Sequence, residues 1–347
     1  MVSSRPFKLL FLKAMPNTPL FLPFVTLIAF AAGTGLTGLL RRVLLKRAVM
    51  DIPNDRSMHK TPVPRGGGLA VMGVVIGGLA LFLGMTRFMV PQGWLLLAAL
   101  LLVVVSWLDD RRGAGIVLRL GAHLLAALLG SLALPDEAIL LKGFLPLWAD
   151  RLVLIVVWAW FMNLYNFMDG IDGITGAETI CIVTGVAVLF GILSLHGPFS
   201  LILMALLLGA CGGFLVFNWY PAKIFLGDVG SIPLGFLTGY LLLQLAAEGQ
   251  RTAALILPLY YLADSGMTMG RRLLRGEKIW HAHRQHFYQR AAQSLGRHDS
   301  VVRWILATNL MLIVAALLAT LIPWAGFSLA VVMVALLLGK MHKSALS

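Results

Sequence analysis

"LVLIVVWAWFMNLYNFMDGIDGITGAETICIVTGVAVLFGILSL", residues 152–195, decides the architecture. The runs 152–168 and 174–195 approach or exceed the roughly 20 helical residues that cross a ~30 Å hydrocarbon layer. Asp169 and Asp172 stand between them, and Glu178 stands near the start of the second. Charge at the edge of hydrocarbon is costly, so such residues are kept for ions, substrates or protons.

The rest of the chain repeats this pattern. Of 347 residues, 59% are hydrophobic and 12% charged, and mean hydropathy is +0.88, which puts the chain among polytopic membrane proteins rather than soluble ones. Apolar runs near 20–41, 66–86, 93–108, 116–134, 152–168, 174–195, 200–218, 231–247, 253–270, 303–322 and 326–340 predict an all-α protein of about eleven transmembrane helices. No internal repeat or independently folding soluble segment interrupts them, so residues 1–347 read as a single transmembrane domain. The stretch "RPFKLLFLKAMPNTP" has a basic start but a short apolar core and no small-residue cleavage site, and reads as an uncleaved lead-in. Cys181 and Cys211 lie inside apolar runs without His partners and read as packing residues, not a disulfide or zinc site.

The net charge of +13 invites a nucleic-acid reading, but the basic residues cluster in turns between apolar runs, so no nucleic-acid partner is expected. One set of turns holds Arg41, Arg42, Lys46, Arg47, Arg56, Lys60, Arg65, Arg111, Arg112, Lys223 and the basic residues of 271–297. The opposite set holds little beyond Arg87, Lys142, Arg151 and Arg251, so the first set is cytoplasmic. Asp51, Asp55, His59, Asp109, Asp110, Asp169, Asp172, Asn218, Asp228, His281, His283 and His286 all map to that same side. A transporter would carry polar groups through the midplane of several spans. Polarity gathered at one face favours an enzyme working on a cytoplasmic substrate at the bilayer surface.

Five motifs carry the chemistry. "SWLDDRRG" (106–113) places two adjacent carboxylates, Asp109 and Asp110, at a span's end, where repulsion favours a bound cation or a proton-accepting role; a turn paired with its own arginines is the alternative. "NFMDGIDG" (166–173) spaces Asp169 and Asp172 to hold Mg²⁺ through water or to accept hydrogen bonds, although glycines and aspartates also make ordinary turns. In "FNWYPAKIFLGDVGS" (217–231), Asn218 ends a span, Phe225 offers an aromatic face, and Asp228 precedes Ser231, a cap for the next helix. "DIPNDRSMHKTPVPRGGG" (51–68) brings Lys60 and Arg65 to three glycines whose backbone can reach a phosphate or simply pack closely. "WHAHRQHFYQR" (280–290) sets His281, His283 and His286 among arginines, which suits phosphate better than zinc, or a helix lying on anionic lipid. Asp264 sits inside the span 253–270 and is expected to face a polar neighbour. Acidic groups and basic loops at one face suggest two anions brought together by a divalent cation and arginines. A membrane prenyltransferase also uses Asp and Mg²⁺, but "DDRRG" lacks its usual aspartate spacing.

In this order, on cytoplasmic loops between residues 41 and 292, these motifs resemble the polyprenyl-phosphate N-acetylhexosamine-1-phosphate transferases, glycosyltransferase family 4, which includes the MraY and WecA enzymes. "PRGGG" and "HRQHFYQR" look most like the WbpL type. MraY-like members have three consecutive histidines where this chain has "HAHRQH", and their lysine and threonine before the glycines do not align with Lys60 and Thr61. The resemblance implies transfer of a sugar 1-phosphate from a UDP-N-acetylhexosamine to undecaprenyl phosphate, with UMP released, at the cytoplasmic face of a bacterial inner membrane, initiating O-antigen or related polysaccharide synthesis. It implies Mg²⁺, replaceable by Mn²⁺, held by Asp228 and Asp172. Asp109, Asp110, Asp228 and His286 would be catalytic. Asn166, Asp169, Asp172, Asn218, Phe225, His283, Arg65 and Lys60 would bind substrate, Phe225 stacking on uracil. A homodimer is compatible with the sequence.

Overall fold

A computed structural model describes residues 20–53, 58, 61–86, 90–113, 115–135, 138, 140–141, 144–195, 197–277 and 283–346. The expected site residue Lys60, with Asp55, His59 and His281, lies outside the described residues. Helices α1 (Phe21–Lys46), α2 (Gly68–Thr86), α3 (Pro91–Arg112), α4 (Ile116–Ser131), α5 (Leu147–Phe167), α6 (Ile174–Ile192), α7 (Pro198–Asn218) and α8 (Asp228–Ala247) follow one another. Then come α9 (Arg251–Ile256), α10 (Leu259–Leu274), α11 (Phe287–Leu295), α12 (His298–Leu321) and α13 (Pro323–Ser344). The protein is an all-α polytopic membrane protein. Among the described residues the strands are β1 (Met50–Asp51) and β2 (Val63–Pro64), a two-residue antiparallel pair.

Every expected span contains a helix, but two differ from a simple crossing. Nine described helices are long and apolar enough to cross a membrane. The helix α4 is apolar but shorter, at 16 residues. The expected span 253–270 is broken into α9 and α10 at Leu257 and Pro258. Pro258 has no N–H to continue the helical ladder, and α10 carries a polar buried stripe of Asp264, Ser265, Thr268 and Arg272.

Burial sorts the bundle into a centre and a rim. Helices α6, α7 and α8 have 72%, 72% and 83% of their most apolar stretch buried, against 17% for α1 and 28% for α3. The three central helices therefore face protein on nearly all sides, whereas α1 and α3 turn most of their surface outward. Where lipid is the solvent, helices associate by close packing rather than by the hydrophobic effect, and small residues permit it. The helix α7 shows how: a Cβ on Gly209 would stand 2.4 Å from the Thr26 carbonyl oxygen of α1, and one on Gly213 would stand 2.5 Å from that of Phe30. Those two glycines form a G-x-x-x-G repeat. Between α5 and α8, Trp158 stacks on Phe236 at 4.8 Å and donates its Nε1–H to the Phe236 carbonyl at 3.1 Å. The helices α3 and α5 both pack on α8, and the polar groups collect at their ends and at the end of α7.

Candidate functional site

Asp109 and Asp110 end α3, and because successive helical residues diverge by about 100°, they face different neighbours. Asp110 turns to the start of α8. Its Oδ1 accepts from the Asp228 N–H at 3.4 Å and its Oδ2 from the Val229 N–H at 3.1 Å. An anion at a helix N-terminus is favoured by the unpaired N–H groups and the helix dipole. The approach requires Gly227, which has φ 75° and no side chain: a Cβ there would lie 2.8 Å from Asp110 Oδ2. Asp109 instead pairs with Arg119 Nη1 of α4 at 3.2 Å. It does not line the main cavity.

Arg65 joins the acids. One guanidinium nitrogen, Nη2, lies 2.8 Å from Asp110 Oδ1 and 2.8 Å from Asp228 Oδ1. Burial works against its charge, but Asp110, Asp228, Asp51 and Asp169 outweigh that and raise its pKa. The glycines after Arg65 do not offer their amides to an anion, the role weighed for them from sequence. Gly66 and Gly67 donate to the Phe225 carbonyl and Gly68 to that of Leu226. Their shared purpose is close approach, since a Cβ on Gly68 would meet the Gly230 backbone at 2.3 Å. Residues 65–68 and 225–230 are thus stitched backbone to backbone, which holds Arg65 against Asp228.

The loop after α5 supplies the next wall. Asn166 donates to Asp228 Oδ2 at 3.3 Å and accepts from Ser231 Oγ at 2.7 Å; Ser231 does not cap the helix as expected, because α8 already begins at Asp228 and the hydroxyl donates to Asn166 and to the Gly227 carbonyl. Asp169 faces the same cavity, and burial, with added repulsion from Asp228 and Asp110, pushes its carboxyl up to about 7 despite a hydrogen bond from Thr175. Asp172 is committed elsewhere: Oδ2 accepts from Ala222 N–H at 2.9 Å and Oδ1 lies 3.2 Å from His298 Nδ1. Asn218 is committed too, accepting from Gly173 N–H and donating to the Ile224 carbonyl, both at 2.9 Å. These two residues shape the loops that carry Phe225, rather than holding out free polar atoms. Gly173, at φ 79°, allows the turn into α6.

The result is a cavity of about 350 Å³ lined by Asp51, Arg65, Asn166, Asp169, Asp172, Asn218, Phe225, Asp228, Gln289 and His298. Eight of these were singled out from sequence; Gln289 and His298 were not. Gln289 lies within the 280–290 motif, whose histidines and arginines drew the attention instead, and His298 starts α12, where no motif marks it.

The histidine motif is placed differently from the other expected residues. His286 is buried, and its Nδ1 lies 3.1 Å from Asp264 Oδ1. Asp264 also accepts from the backbone N–H groups of Phe287 and Tyr288 at 3.0 and 3.1 Å. Its neighbours are thus the N-terminus of α11 and His286. His283 stacks on His286 at 4.9 Å, and burial, then His286 and Arg272, lower its pKa to about 4. Neither histidine lines the cavity. Glu178 also lies away from it, fully buried, with Oε2 accepting from Asn309 Nδ2 of α12 at 2.6 Å.

Among the described residues no three His, Cys, Asp or Glu side chains are grouped to chelate a metal by themselves. Mg²⁺ does not need such a cage, because it binds one or two carboxylates and completes its shell with water and substrate phosphates. Asp228 and Asp169, hard oxygen groups on one cavity, fit that description. Asp172 turns one oxygen to the Ala222 backbone and the other to His298, away from Asp228, whose own oxygens meet Arg65 and Asn166 inside the cluster.

The profile of "Glycosyl transferase family 4" matches residues 93–246, the segment that contributes Asp109 through Asp228. Over 267 residues the chain is 27% identical to a probable undecaprenyl-phosphate N-acetylglucosaminyl 1-phosphate transferase of Bacillus subtilis, covering 74% of this chain and 73% of that protein. It is 28% identical over 224 residues to a decaprenyl-phosphate N-acetylglucosaminephosphotransferase of Mycobacterium tuberculosis, covering 58% of this chain and 54%, about half, of the relative. It is also 27% identical over 246 residues to a phospho-N-acetylmuramoyl-pentapeptide-transferase of Chlorobium phaeobacteroides, covering 60% and 65%. With its acidic span ends and multi-pass helical bundle, the chain is similar over residues 93–246 to glycosyl transferase family 4.

Proposed function

We propose that this chain is a phosphoglycosyltransferase that moves an N-acetylhexosamine 1-phosphate from its UDP carrier to undecaprenyl phosphate at the cytoplasmic face of a bacterial inner membrane. An oxygen of the lipid phosphate attacks the sugar-bearing phosphorus. The bond to the uridine-bearing phosphate breaks, UMP leaves, and a lipid diphosphate sugar remains. The single observation carrying this reading is the Arg65 bridge between Asp110 and Asp228, on a cavity that also holds Asp169 and Phe225.

Each group has work to do in that reaction. Two phosphoryl groups a few Å apart repel by several kcal/mol at a protein surface. The carboxylates Asp228 and Asp169 would hold Mg²⁺, which supplies the positive charge that offsets this repulsion. Arg65 keeps Asp228 oriented and adds a permanent positive charge beside it. Phe225 offers an aromatic face to the uracil. Asp109, paired with Arg119 at the end of α3 outside the main cavity, would take the proton from an acceptor phosphate that approaches the cavity along α3 and α4. His283 and His286 support the wall formed by α11. The polyprenyl tail accounts for the membrane, since an insoluble acceptor presents its phosphate only at the interface. The likeness of "PRGGG" and "HRQHFYQR" to the WbpL type supports the initiation of O-antigen as the role of the product.

The test is UMP release from UDP-N-acetylhexosamines in membranes supplied with undecaprenyl phosphate and Mg²⁺. Asp228→Ala and Asp109→Asn should each abolish it, as should chelation of divalent metal, with Mg²⁺ restoring activity in the last case. Near-wild-type turnover in both variants would remove the mechanism. A panel of UDP-GlcNAc, UDP-GalNAc and 6-deoxy sugars identifies the donor.

A further inference from the structure

His298 begins α12, beyond the segment that matches the family, and no sequence motif marks it. It is 7% exposed, yet the exposed part lines the cavity. Its Nδ1 is occupied, 3.2 Å from Asp172 Oδ1 and 3.3 Å from the Asp172 backbone nitrogen. Its Nε2 has no hydrogen-bond partner among the described residues. An imidazole with one nitrogen held beside a carboxylate presents the other to the cavity it lines, where a ligand can hydrogen-bond it.

The surroundings identify what. The His298 ring packs on Tyr220 at 5.2 Å, and Tyr220 in turn donates its hydroxyl to the Gly296 carbonyl at 3.2 Å. Asp172, which holds the ring, also holds Ala222. His298 is therefore tied on both sides to the 219–225 loop that carries Phe225 into the cavity. Asn218 bonds the Ile224 carbonyl of that loop and the Gly173 N–H, and Asp172 bonds the Ala222 N–H of that loop and His298. Of the side chains at this part of the cavity, His298 offers a nitrogen that a ligand can still use.

We propose that His298 is a binding residue for the donor substrate, its Nε2 hydrogen-bonding the nucleoside half of the nucleotide sugar while Asp172 acts as the positioning residue behind it. This rests on the donor class proposed above and names a contact within it. Asp172 thus contributes to recognition through the ring it orients.

The full-length protein in detergent with Mg²⁺, titrated calorimetrically with UMP and separately with UDP-GlcNAc, tests the contact. Loss of one hydrogen bond of ordinary strength predicts affinity roughly 3- to 10-fold weaker for His298→Ala, by the same factor for both ligands. His298→Gln, whose amide nitrogen reaches the Nε2 position, should recover most of the affinity. His298→Asn, which replaces Nδ1 and keeps the Asp172 contact, should not. Rescue by Asn but not Gln would assign His298 a purely structural role and overturn the proposal. So would unchanged affinity in His298→Ala, or a loss confined to UDP-GlcNAc, which would move the contact to the sugar. A wild-type protein that binds neither nucleotide would instead overturn the donor class itself, and the proposal with it.

Discussion

Replacing Arg65 with alanine would leave Asp110 and Asp228 facing each other without the cation that now lies 2.8 Å from an oxygen of each. Both oxygens contact the same nitrogen, so they stand within twice that distance of one another. At an effective dielectric of about 20, two unit charges so placed repel by about 3 kcal/mol. The Asp110 and Asp228 side chains are only 3% and 16% exposed, which limits relief by water, while Arg65 itself is 38% exposed, which makes the figure an upper one. Removing one partner from a buried ion pair costs about 3–5 kcal/mol for the same reason. Arg65→Ala should therefore lower the apparent melting temperature in detergent by several degrees. A thiol-reactive dye suits the measurement, because Cys181 and Cys211 are both buried until the bundle opens. The charge argument makes a second demand: Asp110→Asn added to Arg65→Ala should return much of the lost stability, because one of the two repelling charges is gone. If the double variant melts no higher than Arg65→Ala, repulsion is not the cause and the electrostatic account of the site is wrong.

Gly68→Ala should destabilise the protein by about 1–3 kcal/mol through forced separation of 65–68 from α8, whereas Gly73→Ala, with nothing within 4 Å of its added carbon, should not; equal melting temperatures would contradict the close-approach reading. For Asp169, the folded protein raises the carboxyl from 3.8 to about 7, so folding favours the protonated form. That contribution is complete below about pH 4 and is lost as pH rises through about 7. With chelator present, the stability advantage of Asp169→Asn over wild type should grow across this window, and a pH-independent difference would sink the assignment. Asn309→Ala removes the donor to buried Glu178 and should cost about 1–3 kcal/mol, while Glu178→Leu with Asn309→Leu should cost less; the reverse order in a melting series would rule this out.

The hydropathy pattern located every helix that spans, though not the short α11, because lipid leaves a spanning segment one solution for its backbone polar groups, which is to bond within the segment. The acidic motifs at span ends were legible for a related reason, since charge beside hydrocarbon stands out against a nearly uncharged background. The break in 253–270 was present in the sequence as Pro258, but apolar content outweighed it until packing showed α10 burying a polar stripe. The G-x-x-x-G pair at Gly209 and Gly213 was equally available, and its partner helix was not.

Contacts between distant segments were beyond the sequence. That Asp110 caps α8 while its neighbour Asp109 turns to Arg119 depends on the helical phase of α3 against two other helices. That Asp172 and Asn218 bind backbone, and that His298 arrives from α12, depends on loops 45 to 126 residues apart being brought together. Composition and periodicity determined a membrane bundle with its chemistry at one end. Which carboxylates meet, and which are turned aside, was decided by packing, because hydrogen-bond geometry is set by distances in space that spacing along the chain does not encode.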